Sequence, residues 1–279
     1  MKKIKIITDS TSDLSKHIIE KYDIEVLPLI VRFGDESYYD GKNLKSDEFF
    51  NKMKNSAIFP STSLVSPQRF YDCYKKYIEQ GYDICSIHIT SKMSGTYQSA
   101  CIAKEMLGAN NICVVDSLNV TNGLGVLVIK ACKLVQEGYS IDRIQKEINN
   151  VIPHIKSFLI FESLDNLVRG GRLSKTAGVI GSVLGIKLIL SMQNGELNVV
   201  DKIRGSKKAL KALFEYVESK GIKQGETSLL LHEDAVENFE VLKEYMEIHN
   251  KIYYVNNIGC VVGTHSGPNA YGIFFIENY

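Results

Sequence analysis

The period of apolar positions changes along the chain, and the change divides it. Through the first half, short apolar runs alternate with stretches of helical spacing. "KIKIIT" predicts a strand and "DSTSDL" a turn, with Ser12 placed to cap a helix carrying Leu14, Ile18 and Tyr22 at helical intervals. "EVLPLIVRF" predicts the next strand, and Ser46 precedes a short helix with Phe49, Phe50 and Met53. Ser66 and Pro67 open a longer helix that Gly81 ends, since proline suits the first helical position and glycine the stop. "DICSIHI" and "NICVVDS" predict strands, each followed by a helix, the first ending at Gly108 and the second at Gly138. Ser140 caps one more helix, "IDRIQKEINNVI".

The second half follows another order. "FLIF" predicts a strand, and "IKLILSMQNGELNVVDKI" a hairpin turning at Asn194-Gly195. A helix over "SKKALKALFEYVESKG", a strand at "TSLLLHE", a helix around "FEVLKEYMEIH" and strands at "KIYYV" and "YGIFFIE" complete it. Strands alternating with helices imply βαβ units and a parallel sheet; the later order implies α+β with a mixed or antiparallel sheet. The expected architecture is therefore α/β in two packed domains. Residues 1–155 form an N-terminal three-layer domain on a parallel sheet, and residues 156–279 a C-terminal α+β domain.

Composition narrows the function without naming it. The charges balance, 33 basic against 32 acidic, which leaves no overall electrostatic footprint for nucleic acid or an anionic membrane. The six cysteines form no C-x-x-C pair and fall mostly in apolar segments, as reduced core thiols of a cytoplasmic protein would. The apolar part of "MKKIKIITDS" is too short for a signal sequence, and "AGVIGSVLGIKLIL" is shorter than a bilayer span and carries Lys187.

The candidate chemistry sits in polar bends. "PSTSLVSP" crowds hydroxyls between prolines, either as a solvated loop or as a wall for an anionic oxygen. "SKMSGTYQSA" places Ser94, Gly95 and Thr96 where a helix could begin, a position that caps a helix or receives an anion. "GTHSGPNA" sets His265 in a Gly/Pro bend, either a surface turn or an imidazole able to donate to an oxyanion. "RGGRLS" offers Arg169 and Arg172 around a double glycine, either a helix end or a clamp for phosphate or carboxylate. The nucleophile elbow, the Walker loop and the dinucleotide fingerprint are all missing; Gly123 and Gly125 are followed by Val128 where a third glycine would stand. The histidines lack the spacing of a zinc site, and Asp9 and Asp116 fit turn roles better than metal ligation.

Taken in order, "TDSTSDL", "PSTSLVSP", "SGTYQSA", "VVDS", "RGGRLS" and "GTHSGP" resemble the DegV family of bacterial fatty-acid-binding proteins, the B subunits of fatty acid kinase. The resemblance spans nearly the whole chain. It implies two packed α/β domains around a buried long-chain fatty acid, whose carboxylate is held by Thr62, Ser94 and His265 with help from the N–H of Gly95. It implies that the chain is not itself the enzyme: an ATP-dependent kinase subunit docks near Arg169 and Arg172, Arg172 in particular, and phosphorylates the bound acid for phospholipid synthesis. No metal, cofactor or catalytic residue is implied, and contact with a membrane surface would be transient. This chain departs from the family at Asn269 in "GPNA", at Leu188 after Lys187, and at Lys92 in "SKMSG".

Such a carrier would draw its affinity from the tail, since a sixteen-carbon chain gains on the order of 11 kcal/mol gross on burial. The head must be paired, because an unpaired buried carboxylate costs several kcal/mol. Candidate tail residues are Ile30, Phe33, Phe158, Ile160, Ile180, Leu184, Leu190 and Phe274. Two rivals stand beside this reading: a stand-alone hydrolase or transferase with Ser94 as nucleophile and His265 as base, and a lipid carrier with no kinase partner.

Overall fold

The computed structural model describes residues 3–173, 185–233, 236–250 and 252–279. Ile180 and Leu184 lie outside the described residues. The N-terminal part is built on a four-stranded parallel sheet in the order β2 (Glu25–Leu27), β1 (Ile4–Asp9), β6 (Asp83–His88), β7 (Ile112–Asp116). Alternation along β6 sends its side chains to opposite faces. Ser86 and His88 meet Tyr74 and Phe70 of α3 (Pro67–Glu79), whereas Cys85 faces Cys132 of α5 (Thr121–Gln136). Helix α4 (Thr96–Leu107) packs beside α3, and α6 (Ile141–Val151) beside α5, which makes three layers.

The second sheet has six strands in the order β10 (Glu196–Arg204), β9 (Ile186–Gln193), β8 (Ile155–Phe161), β13 (Tyr271–Ile276), β11 (Ser228–His232), β12 (Tyr253–Asn257). Its pairs are antiparallel except β11–β12, so it is mixed, as expected. The β9–β10 hairpin turns at Asn194 and Gly195, both with positive φ, which matches the twist of the flanking strands. The outer face of this sheet buries Phe158, Ile160, Ile189 and Ile273 against α8 (Ser206–Lys220) and α9 (Val236–His249).

The inner face packs on α5. This helix reads "TNGLGVLVIKACKLVQ" and is buried over most of its surface, the expected place for a helix that is apolar all round. Gly123 and Gly125 make the close approach possible. A Cβ on Gly123 would lie 2.9 Å from Phe274 of β13, and one on Gly125 would lie 2.9 Å from Leu229 of β11. These glycines serve packing, in line with the missing dinucleotide motif.

Three local expectations change. Ser12 caps no long helix: Ser10–Ser12 form a 3₁₀ turn capped by Asp9, and α1 (Lys16–Lys21) starts after Ser15. "EVLPLIVRF" breaks at Pro28, which has no N–H for a ladder. Its second part, β3 (Ile30–Phe33), joins a separate antiparallel sheet with β4 (Glu36–Tyr39) and β5 (Ser61–Ser63). "GTHSGP" is not a bend between strands: α10 (Cys260–Ser266) runs through it, with His265 in its last turn. Helix α10 rests on β3, β5, α2 (Ser46–Asn55) and α7 (Asp165–Arg169).

Candidate functional site

Between the parallel-sheet layers, the small third sheet and the inner face of the mixed sheet lies a cavity of about 590 Å³. That size falls within the roughly 300–1,000 Å³ typical of small-molecule sites. Its wall includes Thr62, Ser94, Gly95, Arg172 and His265, so it gathers residues expected at the site from four separate stretches of sequence. Thr62 reaches it from the middle of β5, fixed by its pairing with Val31 of β3. Ser94 and Gly95 reach it at the start of α4. The Ser94 hydroxyl shares a hydrogen with Thr96 Oγ1 at 2.9 Å and accepts from Thr96 N–H, so it both ends the loop and lines the cavity.

His265 Nε2 lies 3.0 Å from Thr62 Oγ1. Its Nδ1 is buried with no hydrogen-bond partner among the described residues. A Cβ on Gly170 would stand 2.1 Å from Nδ1, so the ring rests edge-on against the backbone just past α7. Burial, reinforced by the positive charge of Arg172, lowers the imidazole pKa from 6.5 to about 4. The ring is therefore neutral at pH 7. A neutral imidazole carries one hydrogen. Held on Nε2, that hydrogen reaches Thr62 and frees the threonine hydroxyl to donate onward; held on Nδ1, it would be a buried orphan donor, which is costly.

The two arginines part company. Arg172 turns into the cavity wall, where its Nε donates to Met93 O at 3.3 Å and its guanidinium bonds the carbonyl of Gly170. Arg169 is exposed on the outside, 4.0 Å above the ring of Phe59. The two-glycine spacing within "RGGR" gave no sign of this split. Lys92 also contributes to the wall from an exposed position. Asn269 takes φ +61°, a left-handed conformation that asparagine tolerates better than most residues, so it stands where a glycine would without disturbing the bend. Leu188 is buried in β9 opposite Phe161.

None of the described tail candidates lines this cavity. Phe158 and Ile160 point to the outer layer, while their neighbours Leu159 and Phe161 point inward, so the expectation was off by one residue and hence on the wrong face. Leu190 and Phe274 belong to the inner core outside the cavity wall, with Phe274 beside Gly123 of α5, and Phe33 packs on Phe49. Ile30 yields to Leu29. The apolar wall comes instead from Leu29, Ile89, Leu159, Phe161, Leu197 and Leu231, with others.

A Ser94–His265 dyad is not assembled: Nε2 faces Thr62 and Nδ1 faces Gly170. A serine–histidine–aspartate chain does exist elsewhere. Ser86 Oγ lies 2.6 Å from His88 Nε2, and His88 Nδ1 lies 3.0 Å from Asp9. All three side chains are fully buried under Tyr74, with no room for substrate, so the chain is a polar strut across the sheet. Asp9 also accepts from Thr11 and Ile89, and Asp116 from Ser91 and Leu118, the turn roles expected of them. Among the described residues no cluster of histidine, cysteine and acidic side chains could hold a metal ion, and no helix is long and apolar enough to cross a membrane.

The sequence and the fold both match known proteins. The model of the DegV family, a family of uncharacterised proteins, matches residues 3–278. The chain belongs to the DegV family. A DegV domain-containing protein of Clostridium acetobutylicum is 51% identical over 279 residues, covering 100% of both chains. Among solved structures, a DegV family protein from Thermus thermophilus, described as fatty acid binding, superposes with a TM-score of 0.90 at 28% identity over 100% of both chains. DegV from Bacillus subtilis, a fatty acid binding protein, gives 0.88 at 30% identity over 100% of both. A stearic-acid-binding protein from Eubacterium ventriosum gives 0.87 at 29% identity over 98% of both. The DegV fold of a parallel-sheet domain and a mixed-sheet domain is thus the fold of this chain.

Proposed function

We propose that this DegV protein binds a long-chain fatty acid in the chamber and presents its carboxylate to a partner kinase that makes the acyl phosphate. The observation that carries the binding half is a largely apolar cavity whose wall brings Thr62 and His265 into contact at 3.0 Å, with Ser94 and Arg172 in the same wall. Three structural neighbours described as fatty-acid or stearic-acid binders support it. In this reading the neutral His265 donates to Thr62 or directly to a carboxylate oxygen, Ser94 supplies a second hydroxyl, and Gly95 offers an N–H at the mouth of α4. Arg172 supplies the countercharge. A charge-assisted hydrogen bond is worth about twice a neutral one, so the arginine is the strongest single contact available to the head.

The kinase half rests on the family resemblance. Its geometric support is that Arg169 stands outside the chamber, free of the head site, on a face where Phe59 and the exposed Ile58 and Val168 adjoin it. We assign the docking role to Arg169 and the headgroup role to Arg172, which reverses the preference expected from sequence. The chain then needs no cofactor of its own, and works in the cytoplasm with passing contact to a membrane surface.

The test is mass spectrometry of lipid extracted from purified protein, followed by incubation of the loaded protein with ATP and a cognate kinase subunit. A stoichiometric C14–C18 acid converted to acyl phosphate is expected. Protein that neither carries nor takes up such an acid overturns the binding reading. Tight binding with no phosphorylation by any kinase subunit of its own genome favours a carrier without a kinase.

A further inference from the structure

We propose that Asp13 and Asp40 form a two-carboxylate clamp on the start of α10 and thereby act as positioning residues for His265. Helix α10 has only two turns, so its direction depends on how its first turn is held. The first N–H groups of a helix have no partner inside it. Here Gly259 N–H donates to Asp13 Oδ1 at 3.1 Å and Cys260 N–H donates to Asp40 Oδ1 at 2.9 Å. Both carboxylates come from distant parts of the chain, and both are buried.

Asp13 reaches further. Its Oδ2 accepts from the hydroxyl of Thr121 at 2.6 Å. Thr121 begins α5 and lines the cavity, as does Thr11 two residues before Asp13. One carboxylate thus ties together the 3₁₀ turn, the first residue of α5 and the helix that bears the imidazole.

The arrangement is costly in ways that plain stability does not require. Asp13 and Thr121 both hold left-handed backbone, at φ 49° and 48°. For a β-branched residue such as Thr121 that is a true outlier, and outliers of this kind gather at functional sites. The two carboxyls are buried near each other: a Cβ on Gly259 would lie 2.5 Å from Asp13 Oδ1 and 3.5 Å from Asp40 Oδ1. Asp40 Oδ2 has no hydrogen-bond partner among the described residues. Burial raises both acids' pKa values, and the charge of Asp40 raises that of Asp13 further. A neutral cap would hold an ordinary surface helix as well. These costs fall on the segment that sets where the His265 ring lies against Gly170 and Thr62.

The inference rests on the fatty-acid reading for its purpose, but its test reads the imidazole in ligand-free protein. Heteronuclear NMR follows the His265 ring through a pH titration in the wild type, Asp13→Asn and Asp13→Ala. The wild-type ring is expected to titrate at about 4. Asp13→Asn keeps an oxygen for Gly259 N–H and a partner for Thr121, and should leave that value in place. Asp13→Ala releases the helix start and should move the ring's titration up toward 6.5, the value of an unburied imidazole. Palmitate affinity should fall about tenfold in Asp13→Ala, the effect of a misplaced hydrogen bond, and stay within about twofold in Asp13→Asn. A folded Asp13→Ala whose His265 titrates as in the wild type overturns the proposal. If that variant does not fold, Asp40→Ala, which releases Cys260 N–H at the same helix start, is read in its place, and an unmoved ring there overturns it equally. A ring that shifts as expected in a protein that takes up no fatty acid keeps the clamp and removes the fatty-acid reading.

Discussion

Gly170→Ala should separate binding from stability more cleanly than any change at the polar residues themselves. The backbone of Gly170 is right-handed, at φ −77° and ψ −11°, so alanine meets no conformational penalty there. At a helix end of this kind alanine gains up to about 0.5–1 kcal/mol over glycine, because the unfolded chain has less freedom to lose. The new methyl, however, would begin 2.1 Å from His265 Nδ1, where ordinary contact starts near 3.4 Å. The ring must retreat by more than an ångström, which breaks its 3.0 Å contact with Thr62. Loss of that link removes a donor to a charged group, worth about 1.5–3 kcal/mol, or roughly 10- to 150-fold in affinity. Titration calorimetry with palmitate, alongside thermal unfolding of the delipidated protein, reads both quantities. The expected pair is clearly weakened binding with only a small fall in unfolding midpoint, because the lost His265–Thr62 bond, about 1 kcal/mol in the ligand-free protein, is offset in part by the alanine gain. Wild-type affinity in a variant that folds normally would refute the placement of His265 at the head of the ligand.

Other consequences follow from the same geometry. His265 is held at about 4 against an ordinary 6.5, so between those values the unfolded chain binds the extra proton; this residue's contribution is complete above pH 6.5 and lost as pH falls through 4. The shift corresponds to about 3 kcal/mol, and His265→Gln should flatten the rise in denaturant midpoint over that window. The raised pKa values of Asp13 and Asp40 act in the opposite sense, contributing at low pH and losing that contribution as pH rises through their folded values. Arg172→Ala should weaken fatty acid binding about tenfold or more in an equilibrium assay, whereas Arg169→Ala should leave binding intact and slow phosphorylation; the reverse result restores Arg172 to docking. Ala270 is 2% exposed and lines the chamber, so Ala270→Leu should shorten the acids recovered by mass spectrometry without loss of the head contact.

Much of this was legible in the sequence because the signals were local. The Asn194-Gly195 turn, the Ser66-Pro67 start and the Gly108 stop each follow from backbone chemistry at one or two residues. Thr62, Ser94 and His265 were legible as polar residues in places with no core role. The tail wall was not. Strand β8 is covered on both faces, so Phe158, Leu159, Ile160 and Phe161 are all apolar and no alternation tells inward from outward. Helix α10 was hidden for a related reason: Val261, Val262 and Thr264 are β-branched and read as strand, and seven residues are too few for a helical period to emerge. The clamping role of Asp13 and Asp40 gave no sequence signal, since their partners at the start of α10 lie at separations of 246 and 220 along the chain.

The sharing of α5 between both sheets has a bearing on how cargo is exchanged. A helix seated in two cores at once works as a common axle, and the halves of the molecule cannot swing apart like a clamshell without tearing Gly123 and Gly125 from their close contacts. If the chamber holds a fatty acid as proposed, loading and release are a matter of the rim: small pieces such as the β5 strand, the loop before α4 or the β9–β10 tip yielding in turn while the frame stays shut. Native-state hydrogen exchange should find slow, lipid-independent protection along α5 and fast, lipid-sensitive exchange in those rim segments.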